Sequence, residues 1–418
     1  MKKSLSLLVL AALLALTACK KKPSTTPEIP KVETKTYDTV WTAKLGYGIS
    51  PILVANNEVI YSSVTANPAK GEVLYKLNGL TGQQRFEWSD YYNFPQSLGS
   101  ESYFYAQQAF VCCYGEQQYC LNTQNGQTLW RSFLPNAFAR SVISADHDGN
   151  FYQAVYPNFE AEANIYQTNL LNGNRTLLLT FIDNNPLYSD VQVSYMRATR
   201  NSQNEVILFM EVIYKTQAGG TQNKTVWVGY NVNNSTLLYE KTINTSQNGS
   251  VQAVAGLSEA GFLYLSLNQD GAFSLACLNP STGNIVWQKF IGDDEPLQQI
   301  YAHNNKIIAV PIGIGNIKSF DAQTGAAGWQ FSLAELGNNS FVFWQGNSIA
   351  YKQYLFSVYK DQLLVINLRT GKPVYFKSIG FSDSSFRGQI AINEAQRTFY
   401  VQDRFSLVCF KLPKEVVF

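Results

Sequence analysis

The sequence is poor in the residues that most metal and acid–base chemistry requires. Its 418 residues include two histidines, His147 and His303. Both fall in short polar turns, so neither belongs to a nucleophile–base pair or a metal cluster. There is no Gly-x-Ser-x-Gly elbow, no phosphate-binding loop, no Cys-x-x-Cys pair and no Cys-x-x-Cys-His haem attachment. Asp146-His147-Asp148-Gly149 opens like a calcium loop, but the later acidic ligands are missing. Catalysis is therefore not expected, and neither a cofactor nor a metal. Excess charge is lacking too, with 32 Lys+Arg against 30 Asp+Glu over the whole chain. Such a balance gives no electrostatic footprint for nucleic acid. Long apolar runs are absent as well: the longest, Leu5 to Leu16, is too short to span a bilayer as a permanent helix.

That short run has a different use. Lys2-Lys3, the apolar stretch and Leu16-Thr17-Ala18-Cys19 have the layout of a cleaved secretion signal. The last four residues resemble the lipobox of bacterial lipoproteins. The resemblance implies cleavage after Ala18, leaving residues 1–18 as a lipoprotein signal peptide, and lipidation of Cys19, which anchors the chain to a lipid bilayer. Residues 19–37 are rich in Lys, Pro, Thr and Glu and read as a disordered tether. Lys20 behind the lipidated position resembles the pattern of lipoproteins sent to the outer membrane. The expected location is the bacterial cell envelope, on a periplasmic or surface face.

Residues 38–418 are organised by a repeat. Asn or Asp is followed four residues later by Gly or Ser and four later again by a large apolar residue, seven times over: Asn78/Gly82/Phe86, Asn122/Gly126/Trp130, Asn169/Gly173/Leu177, Asn231/Ser235/Tyr239, Asn279/Gly283/Trp287, Asp321/Gly325/Trp329 and Asn367/Gly371/Tyr375. Each copy lies between strand-like runs and reads as a hairpin whose Gly supplies a positive φ. Most units also show a second short polar turn upstream. A period near 45 residues with four short strands per unit is the signature of an all-β propeller. The last unit, Gln389–Gln402 and Leu407–Phe410, lacks its outer strand, and residues 40–45 look like an outer strand without a unit before them. The expected architecture is an eight-bladed ring closed by this N-terminal strand, because closure hides two sheet edges. Seven blades is the alternative.

Six cysteines in an exported chain raise the question of disulfides. Cys120, Cys277 and Cys409 occupy one repeated position in units far apart, so they cannot bridge one another and are expected to be small buried packing groups. Cys112-Cys113 precedes a hairpin. With a loop at residues 115–118, Cys113 would face Cys120 and permit a cross-strand bridge; a vicinal bridge and free thiols are the other readings.

Asp321-Ala-Gln-Thr-Gly325-Ala-Ala-Gly-Trp329 closely resembles the docking motif of quinoprotein-type propellers built on pyrroloquinoline quinone repeats, and Asn279 to Trp287 and Asn367 to Tyr375 depart from it little. The resemblance covers roughly residues 40–412 and implies that Trp130, Trp287, Asp321, Gly325 and Trp329 lock adjacent blades together. It leads to two families: quinone-dependent dehydrogenases, and the propeller lipoprotein of the outer-membrane β-barrel assembly machinery. The dehydrogenases imply a vicinal disulfide and a Ca²⁺ site of Glu, Asn and Asp, of which only Cys112-Cys113 has a counterpart. The favoured expectation is a non-catalytic, lipid-anchored scaffold for an envelope protein partner in outer-membrane protein assembly. Alternatives are a quinone-dependent oxidoreductase and a glycan-binding envelope lipoprotein. Aromatic loop residues Tyr91, Tyr92, Phe94, Tyr156 and Phe159 form the candidate partner surface.

Overall fold

The computed structural model describes residues 39–418 except 45–46, 49–51, 56, 65–71, 89–102, 107–108, 115–116, 134–136, 146–148, 158–161, 183–187, 217–222, 244–251, 270, 294–296, 338–340, 344–347, 380–389 and 403–405. The signal peptide, Cys19, the tether, Tyr91, Tyr92, Phe94, His147 and Phe159 lie outside the described residues.

Among the described residues the strands form eight antiparallel sheets. In seven of them consecutive strands are neighbours from inner to outer edge. Sheet three is typical, running Ala137–Ala145, Asn150–Pro157, Glu162–Asn169 and Arg175–Ile182. Sheet one adds a short extra pairing, with Leu53–Ala55 and Tyr47–Gly48 both on Glu58–Val64. The only helix among the described residues is a single 3₁₀ turn, Leu333–Leu336, closed at its start by a Ser332–Glu335 capping box.

Sheet eight is made from both ends of the chain. Ile390–Asn393, Thr398–Gln402 and Ser406–Lys411 are completed by Thr39–Lys44, which pairs with the last strand so that Trp41 lies opposite Cys409. The expected N-terminal strand is therefore present and paired as the sequence implied.

Sheet interiors are apolar on both faces because each sheet is covered on either side by a neighbour. Middle strands consequently lose the period-two alternation of a half-exposed sheet: Val206–Thr216 and Lys224–Asn231 are buried almost throughout. Outer strands keep the alternation, as in Thr128–Phe133.

Each outer strand carries a register shift against its partner near the repeated turn, and the shift aims a side chain. In sheet five Cys277 pairs with Trp287 and Leu278 with Ile285, so Val286 is the extra residue just before the Trp. Equivalent extra residues precede Trp41, Phe86, Trp130, Tyr239 and Tyr375. Sheet three departs from this: Tyr166 pairs with Leu177 and Ile165 with Leu179, which puts the extra residue after Leu177.

Candidate functional site

The repeated turn is built from its first residue. The Asp321 carboxylate accepts from the backbone N–H of Gln323 and Thr324 at 3.1 and 2.9 Å and from the Thr324 hydroxyl at 2.9 Å. These Thr324 bonds hold its carboxyl below the usual carboxylate range. Asn78, Asn169 and Asn367 accept the same pair of backbone N–H groups, so a short acceptor side chain is needed at this position, charged or not. The turn closes when the N–H of the glycine bonds back to the carbonyl of that first residue, 2.9 Å for Gly325 to Asp321.

The glycine also meets a ring from the preceding sheet. A Cβ on Gly325 would sit 2.7 Å from the Trp287 ring, one on Gly173 2.8 Å from Trp130, and one on Gly371 2.4 Å from Trp329. Each of these tryptophans then donates its indole N–H to the carbonyl following the Asx residue: Trp287 to Ala322 at 3.0 Å, Trp130 to Leu170 at 2.8 Å and Trp329 to Leu368 at 2.8 Å. Trp41 makes the same pair of contacts across the two chain ends, its ring against Gly82 and its indole N–H on the Gly79 carbonyl at 2.8 Å. Every sheet joined this way is clasped by a ring from its predecessor.

The three repeated cysteines lie directly opposite three of these tryptophans: Cys120 opposite Trp130, Cys277 opposite Trp287 and Cys409 opposite Trp41. A small side chain there leaves room for the indole. All three are free and buried, and burial pushes their thiols up to about 12, 11 and 12. The Cys113–Cys120 bridge weighed above is not formed. The hairpin pairs Tyr114 with Gln117, a two-residue slip from the expected register, so Cys113 faces Gln118 and Cys120 faces Val111. Diagonal positions two residues apart are too distant for a disulfide. The side chains of Cys112 and Cys113 lie outside the described residues, and with them the vicinal pairing.

Tyr156 is no surface residue. It is 4% exposed, accepts the Val193 N–H at 2.9 Å, and packs in the core shared by sheets three and four. Pro157 and Asn158 read as loop, but the strand continues through Pro157 because sheet four supplies two unusually long strands, Tyr188–Arg200 and Val206–Thr216, to cover it. That packing stands where the ring-on-glycine clasp is missing: Leu177 is 51% exposed, and the next turn has Ser235 at φ 55° in place of glycine.

Two surfaces remain as candidates. The first is a groove of about 600 Å³ lined by Val54, Asn57, Tyr351, Asn393, Glu394 and Ala395, where turns of sheets seven, eight and one converge. Glu394 accepts from Lys352 Nζ at 2.5 Å and from the Tyr351 hydroxyl at 3.0 Å. The bond from Lys352 leads the causes that hold its carboxyl below the usual value. On the other side Gln396 donates to the Asn57 carbonyl at 3.3 Å. These groups are spent on one another across the seam. His303, in the neighbouring turn, is partly buried with Asn304 and the Lys352 backbone as partners, and burial lowers its pKa. Among the described residues no three His, Cys, Asp or Glu side chains are placed to hold a metal ion.

The second surface is the outer rim. Exposed large apolar side chains lie on the outer strands of four consecutive sheets: Leu129 and Phe133 on sheet two, Leu177 and Ile182 on sheet three, Leu237 on sheet four, and Ile285, Val286 and Phe290 on sheet five. The outer strands of sheets one, six and seven carry none. Such a concentration of exposed apolar side chains on outer strands is a candidate interaction surface. Sequence reading missed it by looking for loops, although Arg175-Thr-Leu-Leu-Leu-Thr-Phe-Ile182 stands out as a long outer strand with no charge after its first residue.

Clasped turns repeated around a set of four-stranded sheets give a β-propeller that resembles the pyrroloquinoline quinone repeat type. Residues 242–409, less than half the chain, match the family model described as outer membrane protein assembly factor BamB. The chain resembles the crystal structure of BamB from Moraxella catarrhalis, with a TM-score of 0.52 and 11% identity over 90% of this chain and 100% of that one. A europium-containing methanol dehydrogenase is similar at TM-score 0.53 and 10% identity, covering 88% and 86% of the two chains. The C-terminal WD40 domain of Sif2 reaches 0.58 and 12%, covering 91% and 99%. Likeness at these identities speaks to the fold alone. No curated protein sequence matches the chain.

Proposed function

We propose that this chain is a non-catalytic, lipid-anchored scaffold of the bacterial cell envelope, an eight-bladed ring that binds protein partners during outer-membrane protein assembly. The match of residues 242–409 to the assembly-factor family carries this reading. The eight sheets, with Thr39–Lys44 completing the last and Trp41 clasping the first, support the blade count and the closure. Lipidation of Cys19, read from the signal and lipobox pattern, would hold the chain at a membrane, with the Lys-, Pro-, Thr- and Glu-rich residues 19–37 as its tether. Crosslinking in native membranes with identification of the captured proteins tests the scaffold role. Capture of β-barrel assembly components is expected, and capture of none overturns it. Release of a Cys19→Ala variant from the membrane fraction tests the anchor.

A quinone-dependent oxidoreductase is the second reading, favoured by Cys112-Cys113 and by the fold it shares with a methanol dehydrogenase. Such an enzyme needs a Ca²⁺ held by several acidic and amide oxygens beside the quinone. Uptake of pyrroloquinoline quinone together with Ca²⁺ by the purified chain tests this reading.

A further inference from the structure

We propose that the outer edge of sheet three, Arg175–Ile182, is a strand-addition site for an extended, uncharged polypeptide segment whose side chains alternate between apolar and small polar residues. The inference deepens the scaffold reading and rests on it.

The edge is unusual within its own molecule. Other outer strands carry charges that discourage pairing: Arg85 and Glu87 in sheet one, Arg131 in sheet two, Glu240 and Lys241 in sheet four, Lys289 in sheet five and Lys377 in sheet seven. On sheet three the single charge, Arg175, turns inward to donate to Gln118, and the next seven residues have none. The uncharged outer strand of sheet six, Ala327–Phe331, is only five residues long and exposes no large apolar side chain.

Sheet three has also given up the clasp that the other outer strands use. Its extra residue falls after Leu177, so this side chain stays 51% exposed, and Ile182 is 52% exposed. The long strands of sheet four restore the lost packing, which frees the edge without opening the core.

The chemistry of the edge chooses its occupant. An outer strand presents unpaired backbone N–H and C=O groups beside its apolar side chains. A lipid surface would cover the side chains and leave those backbone groups unsatisfied, at a cost of several kcal/mol each in hydrocarbon. A second copy joined through this edge alone makes too small a contact to be a stable partner. Two rims meeting along eight residues share a strip about 26 Å long and 10 Å wide, well short of the roughly 1,200 Å² of a lasting interface between rigid proteins. An extended segment satisfies both the backbone and the side chains and can follow the twist of the edge.

The test uses the purified chain and a fluorophore-labelled peptide, acetyl-Thr-Val-Thr-Leu-Thr-Val-Thr-amide, read by anisotropy and by amide hydrogen exchange. Expected are saturable binding, slowed exchange in residues 175–182, and loss of binding for a backbone N-methylated peptide. Leu177→Lys and Ile182→Lys, both at exposed positions, should each weaken binding at least tenfold with an unchanged melting temperature. Absence of saturable binding, protection elsewhere, or full binding by both variants overturns the proposal. So does either of two other findings: recruitment of the chain to phosphatidylethanolamine–phosphatidylglycerol vesicles that depends on Leu177, or a dimer in sedimentation that Leu177→Lys dissolves. Membrane crosslinking separates the two levels. Failure to capture any envelope protein sinks the scaffold role, whereas capture without protection of residues 175–182 sinks only this edge.

Discussion

Replacing Gly371 by Ala isolates what one inter-sheet clasp is worth, because Gly337 provides a control. Both glycines have positive φ, 71° and 64°. A Cβ on Gly337 would meet nothing within 4 Å, while one on Gly371 would lie 2.4 Å from two ring carbons of Trp329. That ring cannot simply retreat, since its indole N–H is tied to the Leu368 carbonyl at 2.8 Å. Left-handed backbone costs a non-glycine residue about 1–2 kcal/mol, and the stiffer unfolded chain returns about 0.4–1 kcal/mol. Gly337→Ala should therefore destabilise by about 1 kcal/mol. Gly371→Ala bears the same strain plus about 1–3 kcal/mol of overpacking, for a total near 3 kcal/mol. Urea unfolding followed by far-ultraviolet circular dichroism reads both. A cycle with Trp329→Leu should recover most of the difference, since sheets three and four already show Leu177 preceding a non-glycine at φ 55°. Equal costs for the two glycine variants, or no coupling to Trp329, would refute the idea that the ring holds the sheets together.

Trp41→Ala should lower stability by about 3 kcal/mol, at the low end for aromatic truncation because the ring is half-buried; an unchanged urea midpoint would show that the N-terminal strand adds nothing to closure. Trp41→Phe should cost only about 1 kcal/mol, the indole hydrogen bond, since the Tyr400 hydroxyl still reaches the Gly79 carbonyl at 3.2 Å. At pH 8 iodoacetamide should modify Cys120, Cys277 and Cys409 only after denaturation, their thiols being pushed up to about 12, 11 and 12; rapid labelling of the native chain, read by mass spectrometry, would contradict this. Asp321 has a folded pKa below its unfolded value, so its turn contributes stability above about pH 3.9, lost as pH falls through the folded value. Asp321→Asn should remove that part of the acid sensitivity, and identical acid unfolding curves would count against it.

Much of the fold could be read from residue types because the clasp makes local demands. An acceptor side chain, a positive φ and a ring at fixed offsets leave few substitutions open, and the repeat is visible wherever they recur. The pairing of the two chain ends was legible for a related reason, since an outer strand without a sheet and a sheet without an outer strand imply each other. Properties set by distant neighbours were not legible. Tyr156 looks like a loop aromatic until the thirteen residues of Tyr188–Arg200 are seen to cover it. The Cys113 register turned on whether a hairpin loop has two residues or four, and Gly115 with its polar neighbours permits either. The apolar rim escaped notice because an alternating pattern tells which residues face away from a sheet, and whether a further sheet lies beyond is a matter of assembly.

The pairing of Thr39–Lys44 with Ser406–Lys411 sets a timetable for the chain as it is synthesised from its N-terminus. The first strand delivered is the last to find its partner, more than 350 residues later, so the slowest and least local contact of the structure falls at the end of folding. Until then Trp41 can rest on Gly79 and Gly82 of sheet one, but the backbone of its own strand has no partner. Any chaperone that shields this segment would act as a timer, and truncation anywhere before Ser406 would strand the opening segment for good.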